Sequence, residues 1–356
     1  MRLALSTHLF ESWLPACGLF AICACSSHTE STRDASTGDS DADTDTWPDA
    51  IDPEIDWVTI PAGSFTFGSP PDTPCRGAYS EKEVQVTLTR PFLMACTEIT
   101  QKQWAAMGFP VPDDILPCDV CPIHYLTFYE AAAWCNALSR FEGLEECYDL
   151  STCTGEIGAG CPEGYAACGS QEGTYFSISP VRRYLSMYDC AGYRLPTAAE
   201  WEYAAKAGTT TNTYNGDITE DSDGICVDEP ILNDIAWYCF NTGADWHWDA
   251  EYIREVGQKQ PNPWGLHDIL GNAWEWVDYA YVGLSLDNSE GTPDQPLVDP
   301  MGRAEAEADQ RRDLRGGHFF NIPCRTRAAT QFPGSGYGRA SAYGFRPVRT
   351  LPADAK

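Results

Sequence analysis

Two short stretches, GYRLPTAAEWEYAA at 192–205 and GLHDILGNAWEW at 265–276, carry the strongest local signals in the chain. In the first, Thr197 and Glu200 have the spacing of a capping box, whose hydroxyl and carboxylate accept hydrogen bonds from free N–H groups at a helix start. The helix predicted from this box ends at Gly208, a residue type that favours helix ends. The second stretch is rich in Gly, Asn and Trp, a composition typical of turns packed on aromatic side chains.

Two more capping boxes, Thr100 with Gln103 and Thr127 with Glu130, predict helices earlier in the chain. Residues 83–89 alternate between polar and apolar types, which predicts a half-buried strand. Pro, Gly, Asn and Asp are frequent after the third helix, and tryptophans recur there. The sequence therefore predicts a loop-rich α+β domain in which aromatic side chains and disulfides supplement little regular secondary structure.

The charge of the chain excludes one class of function. Its 356 residues contain 23 Lys and Arg and 52 Asp and Glu, a formal net charge of −29. Residues 26–56 hold ten acids and one base and carry −9, and residues 1–25 are neutral. The remaining residues therefore carry −20. A protein this acidic lacks the basic face that a nucleic-acid binder needs to displace counterions.

The first 25 residues are predicted to be a signal peptide with a lipobox. The apolar run at 13–24 is too short for a comfortable permanent membrane span and has the length of a signal core. Its ending, Cys23-Ala24-Cys25, is similar to a bacterial lipobox, which predicts lipidation of Cys25; an ordinary signal peptide is the alternative. A lipid anchor of several acyl chains binds membranes stably. Ser26, rather than Asp, resembles an outer-membrane sorting signal, so we expect an extracytoplasmic protein anchored to the cell envelope, facing the periplasm or the surface.

The rest of the chain divides by composition. Residues 26–56 are rich in Ser, Thr and Asp with few apolar side chains, which predicts a disordered acidic tether. Residues 57–351 are predicted to form one domain with a cysteine-rich insertion at about 142–191, and residues 352–356 form a tail.

Cysteine usage indicates an oxidising compartment. Of 16 cysteines, three lie in the signal segment, and the 13 that remain leave at least one thiol unpaired. Cys118 and Cys121 have the spacing of a redox pair, but they lie in a proline-flanked loop without a thioredoxin-like βαβ context. They could also form half a zinc site, but the sequence has no second Cys-x-x-Cys or His pair to complete it, so a disulfide is the preferred interpretation. The insertion is expected to need disulfides because it lacks a core of its own; its cysteines are Cys147, Cys153, Cys161, Cys168 and Cys190.

The chain resembles the formylglycine-generating enzyme, or sulfatase-modifying factor, family in seven stretches that follow the family's order. They are IPAGSFTFGS (60–69), VTLTRPFLMACTEITQKQW (86–104), TFYEAAAWCNALS (127–139), GYRLPTAAEWEYAAKAG (192–208), NPWGLHDILGNAWEWVDY (262–279), LRGGHFFNIPCRTRAA (314–329) and GFRPVR (344–349). The resemblance implies a C-type-lectin-like variant fold. It also implies a set of structural motif residues, namely Arg194, Glu200, Trp201, Trp274, Arg315, Gly316, Gly317 and Arg346.

The resemblance also implies a structural calcium ion at the 271–276 motif. Asn272 and Glu275 offer the hard oxygen ligands that calcium prefers, and turn carbonyls can complete the shell. The alternative is that both side chains only satisfy buried groups. A second family site would fall in 230–245, where Asn233, Asp234 and Asn241 match the pattern poorly.

Oxidase activity is expected to be absent. Family members that oxidise a substrate cysteine bind Cu(I) through two cysteines, separated by four residues, after the Arg-Gly-Gly motif, because soft thiolates suit that ion. Here the segment contains only Cys324, and His318 offers at most a nitrogen ligand. Cys324 is a candidate for the unpaired thiol, and pairing with an insertion cysteine is equally allowed.

These observations favour a non-catalytic module that binds a protein, peptide or glycan. Two alternatives stay open. One is a formylglycine-generating oxidase acting on exported sulfatases with copper and O₂, in which Cys324 would be catalytic. The other is a structural component of an envelope complex.

Overall fold

The computed structural model describes residues 50–77, 81–113, 115–158, 167–168, 181–218, 224–243, 252–280, 295–301 and 311–353. The predicted signal peptide with Cys25, the tether up to residue 49, and Cys161 of the insertion lie outside these residues. Among the described residues, no helix is long and apolar enough to cross a membrane.

All three predicted capping boxes are confirmed. Each threonine hydroxyl accepts from the N3 backbone N–H, and each N3 side chain accepts from the threonine's own N–H. The last of these helices ends where Ala207 adopts a left-handed conformation, just before Gly208. The helices are α1 (Gln101–Ala106), α2 (Phe128–Phe141), α3 (Ala198–Lys206) and α4 (Pro230–Asn233).

The strands are short, and the strand predicted at 83–89 is confirmed as the third of them. In chain order they are β1 (Trp57–Ile60), β2 (Gly63–Phe67), β3 (Val84–Leu88), β4 (Phe92–Ala95), β5 (Ala167–Cys168), β6 (Tyr193–Arg194), β7 (Trp274–Ala280), β8 (Leu297–Val298), β9 (Arg311–Arg315), β10 (Phe332–Ser335), β11 (Arg339–Ala340), β12 (Tyr343–Phe345) and β13 (Val348–Thr350).

The strands form four small sheets. One has the order β1-β4-β13-β6, and it joins the first described strand to the last. A second has the order β10-β9-β7-β12, with β12 parallel to β7. The others are β2-β3-β8 and the pair β11-β5. This arrangement places β7, which contains residues 274–276 of the 271–276 motif, inside a sheet, while Arg346 lies between β12 and β13 in the chain.

Tryptophans fill the two hydrophobic cores. Trp134 of α2 and Trp276 of β7 lie in one core with Phe345, and Trp201 of α3 lies in the other. All three tryptophans are fully buried. The predicted fold class, a loop-rich α+β domain supplemented by disulfides, is confirmed.

Four disulfides join described residues. They are Cys75–Cys324, Cys118–Cys121, Cys147–Cys190 and Cys226–Cys239. The disulfide interpretation of Cys118 and Cys121 is confirmed. Both expectations for Cys324, an unpaired thiol or a disulfide with an insertion cysteine, are wrong. Its partner is Cys75, which lies 249 residues away in the sequence. Within the described part of the chain, Cys135 forms no disulfide; it is buried inside α2, where burial raises its pKa.

The capping boxes make a measurable contribution to stability. We expect Thr127→Ala to lower the free energy of unfolding by about 1 kcal/mol, since the N3 N–H of α2 loses its acceptor. Thr127→Ser keeps the hydroxyl and should recover most of the loss. Urea unfolding followed by circular dichroism would measure both variants, and equal losses would contradict this role of the hydroxyl.

Candidate functional site

Glu275, the acidic residue of the 271–276 motif, is the anion of a buried ion pair. Arg346 Nη2 donates to Glu275 Oε1 at 2.8 Å, and Arg346 Nε lies 3.2 Å from Oε2. The indole Nε1 of Trp201 donates to Oε2 at 2.7 Å. All three side chains are fully buried, so removing the arginine would leave an unpaired charge in the core.

The same guanidinium also binds backbone. Arg346 Nη1 donates to the carbonyls of Ala95 and Cys96 at 3.0 and 2.7 Å, and Nη2 donates to the carbonyl of His267 at 2.9 Å. One side chain therefore connects the end of β4, the turn that precedes β7, and β7 itself.

Two other predicted motif residues form comparable buried pairs. Arg194 donates to both oxygens of Glu200 at 2.7 and 2.8 Å, and Glu200 also completes the capping box of α3. Arg315 lies between Glu202 at 3.1 Å and Asp313 at 2.7 Å. These pairs tie α3 to the strands on either side of it.

The glycines that follow Arg315 are required by their surroundings. Gly316 and Gly317 have φ angles of +94° and +83°, in the region that favours glycine. A Cβ on Gly317 would lie 2.9 Å from the carbonyl oxygen of Arg325. Trp274, the remaining motif residue, stacks on Phe332 with ring centroids 5.3 Å apart.

The segment that follows the glycines does not fit a copper ion. Cys324 is 2% exposed, and its sulfur is bonded to Cys75, so it offers no thiolate. His318 is buried against the rings of Trp274 and Phe319, and its Nδ1 accepts from the Phe320 N–H at 3.3 Å. Burial lowers the pKa of His318 to about 3.

The residues predicted to bind calcium do not fit that ion either. Asn272 Oδ1 accepts from the Arg254 N–H at 2.9 Å, and its Nδ2 donates to the Arg254 carbonyl. Both oxygens of Glu275 are occupied by Arg346 and Trp201. These contacts match the alternative interpretation, in which the two side chains satisfy buried groups.

The two asparagines of the weaker second calcium candidate also use their side-chain oxygens in hydrogen bonds within the protein. Asn233 Oδ1 accepts from the Tyr238 hydroxyl at 3.0 Å, and Asn241 Oδ1 accepts from the Tyr238 N–H at 3.0 Å. Asp234 lies beside them, and its backbone carbonyl accepts from the Gln260 N–H at 2.8 Å.

A different pair of carboxylates has oxygens without hydrogen-bond donors. Both oxygens of Glu98 and Oδ1 of Asp268 are buried and have no hydrogen-bond partner among the described residues. Arg346 Nη2 lies 3.9 Å from Oε2 of Glu98. Burial and the neighbouring carboxylates raise the pKa of Glu98, and burial raises that of Asp268 to about 6. With Glu275, three buried carboxylates surround one guanidinium, an excess of negative charge that a cation would offset.

Sequence reasoning missed this pair, although a signal was present. Glu98 interrupts an otherwise apolar and hydroxyl-rich run, and Asp268 lies inside the 265–276 stretch. No three His, Cys, Asp or Glu side chains of the described residues are grouped as a metal site. A calcium ion held here would therefore use two carboxylates and complete its shell with backbone or water oxygens, which calcium accepts.

A pocket of about 330 Å³ lies next to these carboxylates. Thr97 and His267, the chain neighbours of Glu98 and Asp268, line it together with Gly257, whose N–H donates to Asp268 Oδ2 at 2.6 Å. The exposed acids on its rim are Glu54 and Asp56. The pocket therefore presents two acidic side chains to solvent above a buried pair of carboxyl groups.

Comparison with known proteins defines the class. Residues 114–351, about two thirds of the chain, match the model of the sulfatase-modifying factor enzyme 1-like domain. The chain belongs to this family, as the motifs at 192–208 and 262–279 predicted.

Individual relatives differ in their described roles. A protein of Paenibacillus barcinonensis named chaperone protein LppX is 29% identical over 62% of this chain and 70% of its own length. The formylglycine-generating enzyme of Mycobacterium tuberculosis is 32% identical over 44% of this chain. The match spans only about half of that enzyme, 51%.

Solved structures share the fold. Treponema denticola variable protein 1 has a TM-score of 0.59 and 27% identity, covering 83% of this chain and 95% of its own. PvdO from Pseudomonas aeruginosa has a TM-score of 0.55 and 19% identity, covering 83% and 94%.

The Arg346–Glu275 pair should matter far more than an exposed pair. Arg346→Met is expected to lower the free energy of unfolding by about 3–5 kcal/mol, because it leaves Glu275 buried and unpaired. Arg90→Met, which breaks the exposed pair with Asp189, should cost at most about 1 kcal/mol. Denaturant unfolding of both variants measures the difference, and similar losses would contradict the assignment.

Proposed function

We propose that this chain is a non-catalytic, polypeptide-binding member of its family, exported and anchored to the envelope by a lipid. The observation that carries the proposal is the Cys75–Cys324 disulfide. It occupies the one sulfur available in the segment where the catalytic family members, as the resemblance implies, have two thiolates.

The surrounding contacts support a structural role for this segment. Arg327 donates to both oxygens of Glu81 at 2.8 Å and to the Cys75 carbonyl at 2.9 Å. Thr242 donates to the Phe319 carbonyl, and the Cys239 N–H donates to the Asn321 carbonyl at 3.0 Å. The disulfide is thus one of several bonds that hold 318–327 in place, an arrangement suited to stability rather than to metal exchange.

The charge and the relatives support a polypeptide ligand. The acidic rim of the pocket, Glu54 and Asp56, favours a cationic segment over a nucleic acid or another anion. The name of the LppX relative, a chaperone protein, supports a role in binding polypeptides. A glycan ligand has no comparable support among these observations.

We also propose that a calcium ion binds Glu98 and Asp268 and stabilises the floor of the pocket. The donor-free oxygens of both side chains support this assignment. The ion would neutralise the excess negative charge beside Arg346. It would also hold the backbone at Gly257, whose N–H donates a hydrogen bond to Asp268 Oδ2.

The non-catalytic claim is tested with Cu(I), O₂ and a peptide that contains Cys-x-Pro-x-Arg. We expect no aldehyde and no tight copper binding, either for the protein as purified or after mild reduction. Cys324→Ser serves as the matched control and should behave like the parent. Aldehyde formation that disappears in Cys324→Ser would establish the oxidase alternative instead.

The calcium proposal predicts an effect of chelation. Removing calcium should lower the melting temperature, because the paired carboxylates then repel one another. The double variant Glu98→Gln, Asp268→Asn should lose this sensitivity, whereas Glu54→Gln on the exposed rim should keep it. A chelator effect that persists in the double variant would place the ion elsewhere.

The lipid anchor is tested by fractionation. Cys25→Ala should move the protein from the membrane fraction to the soluble fraction, because one lipidated residue provides the anchor. Cys23→Ala should leave it membrane-bound. Retention of the Cys25→Ala protein on membranes would contradict lipidation at this residue.

A further inference from the structure

We propose that the Cys118–Cys121 disulfide is active in thiol–disulfide exchange, accepting two electrons from a reduced cysteine pair in another exported polypeptide. This goes beyond binding and does not depend on the pocket. It rests on the size of the disulfide loop, on the bonds that hold that loop, and on its surface.

The loop that this disulfide closes is very small. Its cysteines are three residues apart, whereas those of the other described disulfides are 13, 43 and 249 residues apart. Closing a short loop constrains the unfolded chain least, so this disulfide contributes least to stability by that route. The fold therefore tolerates its reduction better than that of the others.

Hydrogen bonds hold the loop independently of the sulfur atoms. The N–H groups of Gln101 and Lys102, at the start of α1, donate to the carbonyls of Cys121 and Asp119 at 3.0 and 3.1 Å. The Gln101 side chain accepts from the Cys118 N–H at 2.9 Å. Reduction would leave these bonds in place and keep the two thiols near each other, ready to be oxidised again.

A further bond ties the loop to a distant segment. The Val256 N–H donates to the Val120 carbonyl at 2.9 Å, so the loop is fixed on two sides. This bond also joins backbone atoms, so it does not depend on the oxidation state of the two cysteines.

The surface around the disulfide suits a polypeptide substrate. Cys118 is partly exposed and Cys121 is 6% exposed, so an incoming thiolate reaches the sulfur of Cys118 more readily. Leu116 and Val120 flank it with exposed fractions of 58% and 48%. Exposed apolar side chains on both sides of a sulfur favour contact with an unfolded or extended chain.

The proposed exchange takes place in two attacks by substrate thiolates. A substrate thiolate attacks Sγ of Cys118, the Cys118–Cys121 bond breaks, and Cys121 leaves as a thiolate that takes up a proton. The second substrate thiolate attacks the substrate sulfur of the mixed disulfide and releases Cys118, which is then protonated. The substrate is oxidised by two electrons, and a small-molecule disulfide such as oxidised glutathione restores the protein.

Reduction kinetics of the purified full chain test whether the Cys118–Cys121 disulfide is reduced more readily than the others. After limited dithiothreitol and alkylation, peptide mapping should show Cys118 and Cys121 modified on the order of tenfold faster than Cys147 and Cys190, since exchange depends on access to sulfur. Cys135 is fully buried and reports unfolding, so it should stay unmodified. Modification of Cys118 no faster than that of Cys147, or only together with that of Cys135, would overturn the proposal.

A synthetic peptide with two reduced cysteines tests the activity. The parent protein should oxidise it stoichiometrically, and Cys121→Ser should trap a mixed disulfide on Cys118 when given the oxidised peptide.

Replacing both loop cysteines by serine should abolish oxidation with little change in melting temperature. The matched control, serine at both Cys226 and Cys239, should keep it. Oxidation that survives loss of the loop cysteines, or unfolding of that variant, would overturn the proposal. Neither result depends on the copper, calcium or ligand assays.

Discussion

The guanidinium of Arg346 makes hydrogen bonds to Glu275, to two carbonyls at the end of β4 and to the turn at His267, all within the core. A buried charge of this kind is stable only when its partners are complete. The strands are short and most of the described residues lie in loops, so such pairs fix segments that regular secondary structure leaves unconnected. Two further buried ion pairs connect α3 to neighbouring strands in the same way: Arg194 with Glu200, and Arg315 with Glu202.

This constraint explains why the densest sequence motif is structural. Glu275 and Trp201 are far apart in the chain but meet at one hydrogen bond of 2.7 Å. Because Glu275 is paired with Arg346, the buried carboxyl oxygens without a hydrogen-bond partner in this region belong to Glu98 and Asp268, next to the pocket. The segment after Arg315-Gly316-Gly317 is held by the Cys75–Cys324 disulfide and by Arg327. The fold is that of the family, while the one cysteine of this segment is bonded to Cys75.

The sequence predicted what depends on neighbouring residues. The three capping boxes and the strand at Val84–Leu88 formed as expected, because each is decided within a few positions. The predictions for Cys324 and for the calcium ligands did not match the observed contacts. Cys75 lies 249 residues away, and the partner of Glu275 lies 71 residues away, so only the folded chain brings them together. The sequence did not single out Glu98, because what distinguishes it is the absence of a hydrogen-bond donor near its carboxylate among the described residues, which no local sequence pattern reveals.

The central claim is that Cys324 serves as a structural disulfide and not as a metal ligand. It is tested most directly by mapping the disulfides of the protein isolated from its native cells, with free thiols blocked at lysis and no reductant added. The account predicts a peptide pair linked through Cys75 and Cys324 as the dominant form. Recovery of Cys324 chiefly as a blocked free thiol, with copper retained by the protein, would contradict it.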